Sequence, residues 1–260
     1  YKIGIGVTIM EQLYNNRVIA FLDILGFKDL VNKSSYNVEL QNKLKSVVEH
    51  LNKIKLRNYD SKYNLNESVG CEVSNFSDSI IISYPLDRNH GGGLFQIIMD
   101  CLYLQIELAQ VGIYVRGAIT SGALYHNERS CFGPALTKAV ELEAEMAKYP
   151  RIIIEKKCLD DGKQYVYGNN TIEFESETID SLITKSADND NIFFINYLVQ
   201  DGEFHTHEEH CRFLLNHYKD IRHNVHSDIS NSVKTKYQWL RHYFYDQFGK
   251  DGMKNLLRLR

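Results

Sequence analysis

Only three prolines occur in 260 residues, and no Gly/Ser-rich or Pro-rich stretch interrupts the chain. A flexible linker between separate modules is therefore not expected. One large domain, or one domain with an extension, is the natural reading of this length. The five cysteines (Cys71, Cys101, Cys131, Cys158, Cys211) are odd in number and irregularly spaced, with no CxxC pair. They point to free thiols in a cytoplasmic chain and away from a disulfide framework. No apolar run is long enough to span a bilayer. The first residues lack a basic region followed by an apolar core and cleavage site, so no secretory leader is expected. Met10 is a candidate native start, with residues 1–9 set apart from the rest of the chain. An excess of charge is missing too: 30 Lys and Arg against 33 Asp and Glu leave a formal net charge of -3. That balance gives no reason to expect a nucleic-acid or membrane partner.

What is present is ordinary globular composition, 43% hydrophobic and 24% charged, enough for a real core. Val18 to Leu25 is a nearly continuous apolar run, the pattern of a central strand buried on both faces. Gly26 ends it. Helical spacing of apolar residues predicts an amphipathic helix over about 36–56, and polar residues 57–70 a loop. Residues 71–76 and 78–83 read as a hairpin with an acidic tip at Ser77-Asp78. Gly91-Gly-Gly reads as a flexible loop opening a second helix, since it lacks the Lys-Ser/Thr of a phosphate-binding loop. Strands are expected at 113–119, 122–125 and 151–155, with a helix over 134–148. This order is the ferredoxin-like split βαβ pattern, βαββαβ, an α+β fold. Beyond residue 160 the pattern weakens. Strands are expected at 165–167, 172–174 and 192–199, then two helices over about 206–222 and 229–247. The chain is thus divided into a catalytic domain at 10–200 and a helical extension at 201–260. The aromatic tail of that extension is expected to pack on the sheet or mediate association, outside the chemistry.

Two aspartates carry the functional reading. Asp23 lies in Phe-Leu-Asp-Ile-Leu-Gly-Phe and Asp78 in Phe-Ser-Asp-Ser-Ile. A carboxylate in an apolar strand is unfavourable unless something pairs with it. Two of them on neighbouring strand ends could share two Mg²⁺ or Mn²⁺ ions, as two-metal phosphoryl chemistry requires. Each could instead cap a turn or pair with a nearby base. Gly26 lets the N–H groups of the following helix face a polyphosphate. Arg116 projects from another strand, and its guanidinium suits either phosphate or a structural ion pair.

The same residues resemble the catalytic domain of class III nucleotidyl cyclases. Phe21-Leu-Asp-Ile-Leu-Gly-Phe resembles the first-strand metal motif, and Phe76-Ser-Asp-Ser-Ile the second metal-binding hairpin. Val115-Arg-Gly-Ala-Ile-Thr-Ser-Gly is similar to the strand carrying a phosphate-binding arginine. Cys131-Phe-Gly-Pro-Ala-Leu-Thr-Lys-Ala-Val-Glu-Leu-Glu resembles the later segment with the transition-state Asn and Arg. The four blocks span about residues 17–155 in family order. The resemblance implies a homodimer that cyclises a nucleoside triphosphate and releases pyrophosphate. Asp23, Asp78 and the Ile24 carbonyl would hold the metals, and Leu25, Gly26 and Phe27 the phosphates. The base pocket would come largely from the other subunit.

Departures from the family pattern sharpen the expectation. The purine-reading pair is replaced by Ser74 and Ser130, and the transition-state Asn and Arg by Thr137 and Glu141. Glu141 cannot stabilise developing phosphoryl charge, so either another cation such as Arg116, Lys138 or Arg151 does that work, or turnover is slow, or the chain is not a cyclase. The missing purine code, the Leu-Asp-Ile-Leu-Gly-Phe opening and the Lys236-Tyr-Gln-Trp-Leu segment resemble the pyrimidine cyclases of bacterial Pycsar anti-phage systems. That subgroup implies UTP or CTP as substrate, and a cyclic product acting on a separate effector protein. A divergent purine cyclase and a catalytically silent cyclase-like domain are the alternatives. His205, His207, His210 and Cys211 match neither a zinc finger nor HExxH, and are expected at a solvated helix start.

Overall fold

The computed structural model describes residues 13–57, 70–87, 91–187, 189 and 191–258. Most of the expected 57–70 loop and residues 10–12 lie outside these. The described elements, in order, are β1 (Asn15–Ile24), α1 (Phe27–Ser34), α2 (Val38–Arg57), β2 (Glu72–Phe76), β3 (Ser79–Pro85), α3 (Gly93–Gln110), β4 (Val115–Asn127), β5 (Ser130–Phe132), α4 (Pro134–Met146), β6 (Ile152–Glu155), α5 (Lys156–Gly162), α6 (Ile172–Leu182), β7 (Ile183–Lys185), β8 (Ile192–Ile195), α7 (His207–His226) and α8 (Asn231–Arg258). The sheet runs β2-β3-β1-β4-β6-β8-β7, with β5 hairpinned onto β4. β1 sits antiparallel between β3 and β4, and β2 extends the edge antiparallel to β3. Two crossovers, through α1–α2 and through α3, therefore enclose one inserted strand each. That is the split βαβ topology expected from the sequence. β6 adds on parallel to β4.

The alternation of β1 explains the layers. Val18, Ala20, Leu22 and Ile24 point into the main core with Ile97, Ile98, Cys101 and Leu102 of α3. Ile19 points to the other face, where α4 covers it with Ala135 and Ala139. α4 packs on β4 and β1. Towards β2 and β3 the same face is less covered: Phe21 and Ile81 are half-buried and Phe76 is 85% exposed.

Several expectations are corrected. Residues 113–125 do not form two strands: β4 runs unbroken from Val115 to Asn127. Its polar break is absorbed because the buried Thr120 hydroxyl donates to Glu155 Oε2 at 2.9 Å. Residues 172–174 open helix α6, not a strand. The Thr171 hydroxyl accepts from the Phe174 N–H, and Glu173 and Glu175 occupy the first turn, a capped start with favourable charge. Residues 165–167 have no regular structure, and the last expected strand stops at Ile195. Gly91-Gly-Gly is a close-packing point and not a flexible loop, for a Cβ on Gly91 would lie 1.9 Å from the Val166 carbonyl oxygen.

The extension is α7 and α8 packed on each other. Trp239 stacks on Tyr149 with centroids 5.4 Å apart, and Tyr243 meets Phe194 edge-on at 5.5 Å. The tail thus does pack against the sheet layer.

Candidate active site

Asp23 and the β2–β3 tip that carries Asp78 lie at the same end of β1. Register sets Asp23 opposite Ser79 on β3 and opposite Arg116 on β4. The Ile24 N–H donates to the Asp78 carbonyl at 2.9 Å, which ties the β2–β3 tip to the end of β1. Ser77 turns that tip with φ of 55°. Both aspartates are partly exposed, open enough to take a ligand.

Arg116 does not stand free. Its Nε donates to Asp23 Oδ2 at 3.0 Å. Its Nη2 lies 2.7 Å from Glu143 Oε1 on α4, an ion contact without hydrogen-bond alignment. Desolvation raises the Glu143 pKa, and the Arg116 charge opposes that shift. Of the two readings the sequence left open for Arg116, the structure holds the ion pair.

Two charged residues of this cluster were not identified from the sequence. Glu143 continues the buried stripe Ala135, Ala139 of α4 at spacing of four. Lys236 stands four residues before the buried Leu240 and eight before the buried Phe244 of α8. A charge on an apolar helical stripe is the signal that would have found both. Burial and the nearby Arg116 lower the Lys236 pKa, while Asp23 and Glu143 raise it. Lys236 of the extension thus shares the electrostatic environment of Asp23, Arg116 and Glu143.

The other substitute cations are engaged elsewhere. Arg151 is buried, its guanidinium 5.5 Å from the Phe194 ring and 5.6 Å from Trp239, and it donates to Ser186. Lys138 faces Glu155 at 3.9 Å.

The expected phosphate loop is partly available. The Leu25 N–H already donates to the Tyr114 carbonyl at 2.8 Å. Gly26, with φ of 73°, starts α1 without a side-chain cap. The first N–H groups of α1, from Phe27 onward, have no partner within the helix. Phe27 packs its ring against the main core. Ser74 belongs to a polar chain: its Oγ is 3.0 Å from His126 Nε2, and His126 Nδ1 is 2.8 Å from Ser83 Oγ. Ser83 in turn accepts from Arg17 Nε at 2.9 Å. Ser130 and Thr137 are exposed, on β5 and on the first turn of α4. Among the described residues, no hydrogen bond or ion pair joins Ser74, Ser130 or Thr137 directly to Asp23.

A cavity of about 650 Å³ lies between α1, α2 and the α7–α8 pair. Of the expected site residues only Leu25 and Gly26 line it. Its lining mixes both signs of charge, with Lys33, Lys43 and Lys236 alongside Asp29, Asp220 and Asp228.

Asp23, Asp78 and a main-chain carbonyl make an all-oxygen donor set, which suits Mg²⁺ or Mn²⁺ and not a thiophilic ion. Asp23 Oδ1 has no hydrogen bond among the described residues, so the set fits such ions. No helix among the described residues is long and apolar enough to cross a membrane.

No protein-family model matches the chain. No curated protein matches it either. Solved structures do resemble it. The guanylate cyclase domain of RhGC from Catenaria anguillulae in complex with GTP is 12% identical, over 72% of this chain and 98% of that one, with a TM-score of 0.44. The catalytic core of a rhodopsin-guanylyl cyclase with converted specificity, in complex with ATPalphaS, is 13% identical over 70% and 96%, with a TM-score of 0.43. An adenylate/guanylate cyclase/hydrolase from Silicibacter pomeroyi is 12% identical over 70% and 95%, with a TM-score of 0.38. The ferredoxin-like topology stands on this chain's own strand order and register, and its chemistry on its own side chains.

Proposed function

We propose that this chain is a metal-dependent nucleotidyl cyclase acting on a pyrimidine triphosphate, UTP ahead of CTP. The observation that carries the reading is the junction of Asp23 and Asp78 by the Ile24-to-Asp78 hydrogen bond, with Arg116 beside it. Asp23, Asp78 and the Ile24 carbonyl would hold two Mg²⁺ or Mn²⁺ ions. When bound, these ions supply Lewis acidity to the α-phosphate and make the ribose 3′-hydroxyl more acidic.

The chain's own groups do the rest. The uncapped N–H groups at the start of α1 receive the phosphates. Arg116 holds Asp23 in orientation and opposes the burial that disfavours the Glu143 carboxylate. Lys236 supplies the positive charge that Glu141, exposed on α4, does not. In the reaction the 3′-oxygen forms a bond to the α-phosphorus, the bond to the β-phosphate oxygen breaks, pyrophosphate leaves and the hydroxyl proton passes to solvent. Ser74, anchored by His126, and Ser130 would read the base with short hydroxyls, and Thr137 would meet the nucleotide beside them.

The half-covered sheet face over β2 and β3, with Phe76 exposed at its tip, suits a homodimer in which these base-reading residues serve the partner's site. The cyclic product would act on a separate effector protein in anti-phage defence. Incubation of purified protein with Mn²⁺ and each of ATP, GTP, CTP and UTP, with products resolved by mass, tests the reading. Cyclic UMP or cyclic CMP supports it, and a cyclic purine product removes the pyrimidine claim.

A second reading has one observation in its favour. Arg116 is held between Asp23 and Glu143, as in a structural ion cluster. A catalytically silent nucleotide-binding domain would form no product from any triphosphate while still folded and dimeric.

A further inference from the structure

The entry into α7 carries a cluster that the proposed cyclase chemistry does not use. Asp201 lies in the short 3₁₀ turn before α7, and His207 and His210 share one face of its first turn. His207 Nδ1 is 2.9 Å and His210 Nδ1 3.0 Å from the same Asp201 Oδ1. The three ligand atoms lie within 4.8 Å of one another. His210 is not at a solvated helix start, as the sequence suggested: it is 5% exposed. Its ring packs on Phe204, centroids 4.9 Å apart.

A group outside the cluster fixes the tautomer of His210. Its Nε2 lies 2.9 Å from the Leu198 carbonyl oxygen, which can only accept. Nε2 therefore carries the hydrogen, and in the neutral ring Nδ1 presents a lone pair. That lone pair faces a carboxylate oxygen at 3.0 Å, two acceptors opposed, one on a buried ring and the other on a half-exposed aspartate. A cation between them removes the conflict.

We propose that Asp201, His207 and His210 bind one divalent transition-metal ion, Zn²⁺ by its chemistry, through the carboxylate and the two Nδ1 atoms. Two imidazoles and a carboxylate select Zn²⁺ over Mg²⁺ or Mn²⁺ and leave a fourth position for water. Leu198 acts as the outer partner that orients a metal-binding histidine. The ion would clip the 3₁₀ turn to the start of α7 and so brace the helical pair that carries Lys236. A proton shared between His210 and Asp201 is the competing occupant.

The test uses the full chain, stripped with chelator and titrated with Zn²⁺ against a competing fluorescent chelator. Thermal midpoints are followed in parallel. The proposal expects one tightly held Zn²⁺ per chain and a raised midpoint. His207→Ala and Asp201→Asn should each weaken binding at least tenfold and remove the midpoint shift. The His207 side chain is 76% exposed, so its loss leaves the fold intact. Asp23→Ala should bind Zn²⁺ like the parent, which separates this site from the cyclase reading. Absence of stoichiometric Zn²⁺ from the parent, or parent-like binding by both cluster variants, would overturn the proposal in favour of the shared proton.

Discussion

Arg116 Nε donates to Asp23 Oδ2 across the β1–β4 pair, and its Nη2 reaches Glu143 on α4. One guanidinium thus bridges two strands and a helix at the proposed metal site. Removing it orphans Glu143, whose charged carboxylate is already disfavoured by burial. Arg116→Gln is expected to destabilise the fold by about 1–3 kcal/mol, limited by the partial exposure of Arg116 and Asp23. Adding Glu143→Gln should restore part of that loss, because no unpaired buried charge remains. Urea midpoints of the two singles and the double check this. Strictly additive losses would show that the pair is not coupled.

Lys236 gives a prediction specific to the extension. Lys236→Ala should lower kcat/KM for the triphosphate at least tenfold, and Lys236→Arg should retain most of it. Steady-state kinetics with circular dichroism as a fold control decides it. Parent-like kinetics in Lys236→Ala would return the tail to a purely structural role.

Gly117 follows Arg116 on β4, opposite Leu22 of β1. A Cβ there would lie 2.4 Å from the Phe21 carbonyl oxygen and 3.0 Å from Leu22 Cα. The obstacle is backbone of a central strand, which cannot swing aside. Gly117→Ala is expected to destabilise by roughly 2–3 kcal/mol through overpacking. A urea midpoint within error of the parent would refute the close approach.

His217 sets a pH dependence. It is buried between two tyrosines: the Tyr197 oxygen is 2.8 Å from Nε2 and the Tyr114 oxygen 3.3 Å from Nδ1. Tyr114 also donates to Asp220 at 2.5 Å. Burial pushes the His217 pKa down to about 3, against an ordinary 6.5. Below pH 6.5 the unfolded chain therefore binds a proton that the folded chain refuses, and stability falls as pH drops towards 3. Between pH 7 and pH 5 this group alone should remove roughly 2 kcal/mol. His217→Asn should show a correspondingly smaller loss over that range in urea titrations at the two pH values. Equal losses in parent and variant would contradict the assignment.

The sequence revealed the β1-to-β6 core because its elements repeat cleanly: a continuous apolar run at Val18–Leu25 and helical spacing through α3. It also marked Asp23 and Asp78, since a carboxylate inside such runs stands out. It was misleading where local signals are shared by two structures. Ile172–Phe174 has strand-forming residues, but Thr171 caps a helix there. Gly91-Gly-Gly looks like a flexible loop, although its smallness serves close packing against Val166. Glu143 and Lys236 lie in segments the sequence singles out, but their association with Arg116 depends on tertiary packing, which neither segment encodes. The engagement of Arg116 by Asp23 depends on strand register, which a phosphate-binding motif does not encode.

The most direct test of the central claim compares the parent with Asp23→Ala and Asp78→Ala, each incubated with UTP and Mn²⁺. Cyclic UMP and pyrophosphate are followed by mass, and folding is verified in every sample. The account predicts product from the parent, its loss on chelation of the metal, and a fall of at least a thousandfold in each variant. Undiminished product from either folded variant would contradict it, because the proposed chemistry requires both carboxylates.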